Sequence, residues 1–354
     1  MKKIPVILLV CIFHSSLWAC TTFFICNKDA MVFGRNYDWV TDIGMVNSNL
    51  KGLSKTSLKA AEGESISWVS RYGSITFNQY GKEFPTGGMN EKGLVVELMW
   101  LDETKYPAPD HRPAIGVLQW IQYQLDNCGT IDEVIETDKK LRIASTGTTP
   151  LHYLVADANG HAATIEFLEG KMTVHQSSQL PLPVLTNSIY GESLKLYQAA
   201  TGNGRGSSFA FGNNSLERFG KACERVEQFR KGEITKPVID YAFEILQETA
   251  QGNATKWSIV YDVKKKKIHF KTHRFTGVKT LEFSSLKFDC QFAAKSLDMN
   301  QELSGNISEK MEDYSGSLNE SLLKIAFRES SAYINVGEKA IAALSQYPAQ
   351  IRCQ

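Results

Sequence analysis

Runs of β-branched, aromatic and aliphatic residues, punctuated by Gly, Asn and Asp, predict strands along much of the chain. Thr21 to Cys26 is apolar and β-branched, and Met31 to Phe33 resumes that character after Asn27-Lys28-Asp29, which reads as a hairpin. A turn centred on Lys28 and Asp29 pairs positions whose numbers sum to about 57, so Cys20 faces residue 37 or a neighbour. Arg35 and Asp38 flank that neighbour three positions apart, so a regular strand points them to opposite faces. If both serve one site, the strand must bend or end near Tyr37.

Gly73–Tyr80 and Leu94–Leu101 are further strand candidates, the second entered through a Gly87–Gly93 segment with turn chemistry. Pro113–Asn127 carries Ile115, Leu118, Ile121 and Leu125 on one stripe and predicts a helix that stops at Gly129. Thr130-Ile131-Asp132-Glu133 is a capping box for the next one. Strands then cluster at 152–156, 161–167, 172–175 and 183–187. Helices follow over Asn214–Arg230 and Thr235–Ala250, then strands at 257–261, 268–273 and 281–283, and a helical segment from about Leu318 to Leu344. With neither an internal repeat nor a long linker, this order predicts layered helices and antiparallel sheets in one domain over residues 20–354, with a helical C-terminal segment.

Composition narrows the partners. The charge balance, 39 basic against 38 acidic side chains, gives no electrostatic footprint for nucleic acid. The one basic run, Lys264–Lys267, falls between two strands as a solvated turn. Lys2 and Lys3, the apolar run Ile4–Phe13 and the small residue Ala19 read as a secretory signal over residues 1–19, so an exported chain starting at Cys20 is expected. The ten-residue apolar run is too short to cross a bilayer, and no later segment is long enough, so no membrane span is expected. Six cysteines remain after that cleavage, a number that permits disulfides; none lies at zinc-ligand spacing from another Cys or a His.

Cys20 carries three readings: a half-cystine or buried thiol, a lipoprotein cysteine behind the lipobox-like Leu17-Trp18-Ala19, or an N-terminal nucleophile. The last has a clear chemical logic. A free α-amine titrates at about 7.7 to 8.0 and a thiol at about 8.5, so one residue supplies both nucleophile and base without any His. A cation such as Arg35 favours thiolate, a carboxylate such as Asp38 holds the amine, and an oxyanion hole completes acyl transfer through a thioester.

Cys20 behind a cleavable leader, Gly34-Arg35-Asn36-Tyr37-Asp38-Trp39, Met89-Asn90-Glu91-Lys92-Gly93-Leu94, Leu185-Thr186-Asn187-Ser188 and Ser215-Leu216-Glu217-Arg218-Phe219 occur in this order. Together they resemble the choloylglycine hydrolase family of bile salt hydrolases and penicillin V acylases, from Cys20 to roughly residue 285. The resemblance implies an α+β fold, the four-layer αββα sandwich of two antiparallel sheets of N-terminal nucleophile hydrolases, with no cofactor and a homotetrameric assembly. It implies Cys20 as nucleophile and base, Arg35 and Asp38 as its electrostatic partners, Asn187 as side-chain oxyanion donor and Arg218 as a supporting cation. Trp100 stands at the second oxyanion donor, where the family often has Asn or Tyr; a backbone N–H donor tolerates any side chain there. Trp39 and Trp100 are candidates to line the substrate pocket. The expected substrate is a small amphipathic N-acyl compound, glycine- or taurine-conjugated bile salts first, with penicillin V or N-acyl homoserine lactones as alternatives. The secretory signal and the absence of an assembly-loop insertion near Asn187 resemble the Gram-negative branch, so a periplasmic protein is expected. A lipid-anchored binding protein acylated on Cys20 is the rival from another class.

Overall fold

The computed structural model of the chain describes residues 20–202 and 214–354. The leader expected over residues 1–19, with its lipobox-like end, lies outside the described residues. Thr21–Cys26 (β1) and Met31–Asp38 (β2) form the expected hairpin, with Thr21 opposite Asn36 and Thr22 opposite Arg35. Asn27 closes its turn by accepting hydrogen bonds through its side chain from the amides of Asp29 and Ala30 at 2.9 Å each.

Among the described residues β1 and β2 lie within a seven-stranded sheet, between Val184–Leu185 on one side and Thr255–Asp262 on the other. Lys267–Thr272, Lys279–Glu282 and Gly305–Asn306 extend it outward. A second, nine-stranded sheet runs in spatial order Lys171–Gln176, Ala162–Leu168, Leu151–Ala156, Val95–Trp100, Gly87–Asn90, Ser74–Asn78, Met45–Asn49, Lys295–Asp298 and Glu312–Asp313. Pairing in both is antiparallel apart from the short Gly305–Asn306 edge.

Strand alternation explains why the sheets stack. In Val95–Trp100, Val95 and Met99 pack into the core shared with Phe33, Phe77 and Tyr261, while Val96 and Leu98 turn to Trp120, Ile121 and Leu125. Both faces of this strand are covered, which is why it reads as nearly continuous apolar sequence. The helix Val117–Asn127 (α1) packs on the outer face of the second sheet. The short helix Ile131–Glu136 (α2) follows, then Tyr190–Gly202 (α3). Asn214–Arg230 (α4) and Val238–Glu248 (α5) cover β1 and β2 on the outer face of the first sheet. The result is an α+β fold of two large antiparallel sheets flanked by helices.

Local expectations differ from the structure at five places. Gly87–Asn90 is a strand and only Glu91–Gly93 turns, because Gly87 lies opposite Glu97, whose carboxylate fills the space a Cβ there would need. The helix expected from Pro113 starts at Val117, since Ala114–Ile115 pairs with Arg142–Ile143. Thr130 caps α2 by accepting from Glu133, but the Glu133 carboxylate turns back to the Gly129 amide instead of the cap residue's own. The C-terminal helical segment divides into Gly316–Glu329 (α6) and Glu338–Gln346 (α7), interrupted where β-branched Ile334 and Val336 precede Gly337. Helix α3 was not anticipated: its hydrophobic stripe is weak and only Tyr190, Ser193 and Tyr197 are buried.

Candidate active site

Register alone brings three segments together at Cys20. Continuing the β1–β2 pairing by one step sets Cys20 opposite Tyr37, and continuing the pairing of β1 with Val184–Leu185 sets it opposite Asn187. Between Tyr37 and Asp38 the partner strand carries an extra residue, Lys256, in a β-bulge, and β2 ends at Asp38, near the position where a strand serving one site through both Arg35 and Asp38 was expected to bend or end. Arg35 points between the sheets and Asn36 points out to Leu246 and Thr249 of the α5 end. The site therefore sits at the end of the strand pair, reached by Arg35 from one face and by Arg218 of α4 from the other.

Cys20 is buried and its thiol is free of any disulfide. Its Sγ donates weakly to the Asp38 carbonyl at 3.9 Å. Burial pushes the thiol pKa up, opposed most by Arg35 and then by the Asp38 carbonyl contact and Arg218, while the Asp38 charge adds to the rise.

Arg35 does not pair with Asp38. Its guanidinium is fully buried, donates to the Thr86 carbonyl at 3.0 Å and pairs with Glu97. It also lies 4.7 Å from the centre of the Tyr37 ring. Burial works against the Arg35 charge, yet Glu97, Cys20 and Tyr37 together hold its pKa above the ordinary value. Glu97 in turn accepts from the Tyr261 hydroxyl, and burial pushes its carboxyl up to about 7 despite Arg35. The sequence reading passed over Glu97. Its signal was an acid inside the apolar run Val95-Val96-Glu97-Leu98-Met99-Trp100, facing a glycine.

Asp38 is 1% exposed, and the Thr255 hydroxyl lies beside it, yet neither carboxylate oxygen makes a hydrogen bond of normal geometry. Burial raises its pKa to about 6 against the pull of Thr255, Arg218 and Arg35. A buried carboxylate without a full set of donors is costly.

Arg218 is 2% exposed, not a surface charge on the first turn of α4. It donates to the Cys20 carbonyl, to Thr21 Oγ1 at 2.7 Å, to Asn187 Oδ1 at 3.1 Å and to Asn214 Oδ1 at 2.7 Å. Burial lowers its pKa to about 10, with Asp38 and Cys20 pulling it back up. By taking Asn187 Oδ1, Arg218 fixes which way that amide faces. The Nδ2 group then points away and donates to the Trp100 carbonyl at 2.8 Å, while the Asn187 backbone N–H donates to Ser215 Oγ at 2.9 Å.

Cys20, Asp38, Trp39 and Trp100 line one cavity of about 320 Å³, whose walls are otherwise mostly apolar. Trp39 and Trp100 lie with ring centres 6.3 Å apart. Arg35, Asn187 and Arg218 stand behind the Cys20 end of this cavity rather than along its walls.

The profile of the linear amide C–N hydrolases of the choloylglycine hydrolase family matches residues 20–228, more than half of the chain. The chain belongs to this family. Among choloylglycine hydrolase relatives, the penicillin V acylase of Pectobacterium atrosepticum is 26% identical, over 76% of this chain and 82% of that protein. The structure of penicillin V acylase from Agrobacterium tumefaciens superposes with a TM-score of 0.72 at 26% identity, covering 84% of this chain and 98% of that one. A mutant of the conjugated bile acid hydrolase from Clostridium perfringens shares the fold, with a TM-score of 0.68 at 19% identity over 81% of this chain and 99% of that one. This choloylglycine hydrolase family member is thus a linear amide C–N hydrolase of the N-terminal nucleophile class.

Proposed function

We propose that removal of residues 1–19 frees Cys20 as both nucleophile and base of an exported amidase. The observation that carries this reading is the buried Asp38 carboxylate with its unmet hydrogen-bonding capacity beside Cys20. A new α-amine at Cys20 would donate there and keep its lone pair oriented. The amine takes the thiol proton, and sulfur attacks the amide carbon. The carbonyl pair moves to oxygen, which accepts from Asn187 Nδ2 and the Trp100 backbone N–H. Collapse breaks the C–N bond as the Cys20 ammonium returns its proton to the leaving nitrogen, leaving a thioester. Water, deprotonated by the same amine, then releases the acid and the thiol.

The acyl group occupies the apolar cavity beyond Trp39 and Trp100. Its size suits a bulky apolar body, and glycine- or taurine-conjugated bile salts are the substrates we propose. Penicillin V is the second reading, favoured by the two acylases at 26% identity. The Cys290–Cys353 disulfide supports an oxidising compartment, and we assign the protein to the periplasm.

The test begins with the intact mass of protein recovered from the host envelope. Expected is a chain starting at Cys20 without adduct, which releases glycine or taurine from conjugated bile salts and forms a trapped thioester on Cys20. Cys20→Ala, or one extra residue before Cys20, is expected to lower turnover by more than 1,000-fold, the scale seen when a nucleophile is removed. Full turnover in either form overturns the mechanism, and a diacylglyceryl adduct would make the protein a lipoprotein. Faster release from penicillin V than from bile salts would exchange the two substrate readings.

A further inference from the structure

The family profile ends at residue 228, yet one wall of the cavity comes from residues 316–354. Phe327 on α6, Ile334 and Val336 in the α6–α7 connection and Leu344 on α7 all line it. None of the four carries a group that could exchange a proton or stabilise an oxyanion. What they offer is apolar surface facing the cavity that also contains Cys20.

A buried hydroxyl joins this arm to Trp39, the residue that follows the hairpin. Ser330, fully buried at the C-cap of α6, accepts from Trp39 Nε1 at 3.0 Å and shares a 2.9 Å hydrogen bond with the Tyr80 hydroxyl. Trp39 follows Asp38 in the chain, and its ring lies 6.3 Å from both Trp100 and Tyr333. Phe327 packs on Tyr80 at 4.7 Å, extending the same joint. The distal end is anchored separately, by Arg352–Cys353 pairing with Leu53–Ser54 and by the Cys290–Cys353 disulfide.

We infer that the C-terminal arm is the acyl-recognition wall of this enzyme, with Val336, Ile334 and Leu344 contacting the bulk of the acyl group and Ser330 positioning Trp39 against it. This inference rests on the amidase reading and specifies its substrate class: amides whose acyl part is a ring-sized or larger apolar body. A short acyl group ends before reaching the arm and gains nothing from it.

Binding can be read without turnover, using the free acids cholic acid and phenoxyacetic acid as probes in titration calorimetry. Val336→Trp, which fills the wall, is expected to weaken cholic acid binding at least tenfold; Val336→Ala, which widens it, is expected to shift the preference between the two acids the other way. Thermal melting of both variants separates this from unfolding. Unchanged affinities in both variants, or no binding of either acid by the unaltered chain, overturn the wall. If the unaltered chain binds the acids but releases no amine from their amides, the wall stands and the amidase reading fails. If amine is released but Val336→Trp leaves the bulky-to-short acyl preference unaltered, the wall fails and the amidase reading stands. Ser330→Ala is expected to raise KM for bulky acyl amides several-fold with a smaller change in kcat, and Ser330→Thr to restore KM. An equal fall in kcat for short and bulky substrates would make Ser330 merely structural.

Discussion

The β1–β2 hairpin and the 316–354 arm meet at one cavity by different means. The hairpin delivers Cys20, Tyr37 and Asp38 through a continuous ladder of paired residues from Thr21–Asn36 to Cys26–Met31. It is then sealed between Thr255–Asp262 and Val184–Leu185, with α4 and α5 above it. The arm delivers Phe327, Ile334, Val336 and Leu344 from outside both large sheets, held by the buried Ser330 hydroxyl, by hydrogen bonds of the Lys82 amide to Asn319 and of Thr41 to Glu329, by Phe327 on Tyr80, by a two-residue strand and by a disulfide. The residues around Cys20 lie on paired strands, and the apolar wall lies on two helices and their connection. If the proposed roles hold, this separation would let one mechanism be kept while acyl preference varies.

The strongest way to break the hairpin side is through Glu97. Its carboxylate is the ion-pair partner of a guanidinium with no exposure, so Glu97→Ala leaves a buried positive charge without compensation. Above the pKa of about 7 at which Glu97 ionises, we expect a loss of about 3 to 5 kcal/mol in denaturant unfolding, the usual cost of breaking a buried pair from one side. A loss under about 1 kcal/mol would mean that the hairpin is not held rigid through Arg35.

The same contrast separates what could be read from the sequence. The hairpin is local: a turn, a register and the spacing of Arg35 and Asp38 follow from two adjacent apolar runs. The extent of helix α4, from Asn214 to about Arg230, was legible because capping-box spacing is a local signal. Glu97 was hidden because its role depends on a cross-sheet partner 62 residues away, and Ser330 because its partners Trp39 and Tyr80 lie 291 and 250 residues away. Arg218 shows the middle case. Its family position was legible, while its burial and its grip on Cys20, Thr21 and Asn187 depend on how α4 packs over β1.

On the arm side, the disulfide offers the sharper probe. Cys353→Ser removes a cross-link between residues 63 positions apart. We expect a stability loss of about 2 to 4 kcal/mol, the typical value for such a bond. Hydrogen exchange should locate it, with amides of α6 and α7 exchanging faster and those of β1 and β2 unchanged. Equal acceleration in both regions would show that arm and hairpin unfold as one unit, which removes the basis of the comparison.

The smallest effect tests the hairpin at Asp38. In the folded chain burial pushes its carboxyl up to about 6, against 3.8 for its ordinary value. The folded state therefore holds a proton over that interval which the unfolded state has released. The resulting stabilisation is complete below the unfolded pKa and is lost as pH rises through about 6. In a chain that keeps one extra residue before Cys20, stability should fall by about 1 kcal/mol between pH 5 and pH 8, and Asp38→Asn should remove that slope. In the chain that begins at Cys20, an ammonium stands beside the carboxylate and pulls its pKa back down, so the slope should shrink. Turnover needs the carboxylate ionised and should move oppositely, rising with pH over the window in which Asp38 deprotonates. Melting temperatures of the two N-terminal forms across this range decide the matter: identical slopes would show that the Cys20 amine does not contact Asp38, and the hairpin would then supply the nucleophile without orienting its base.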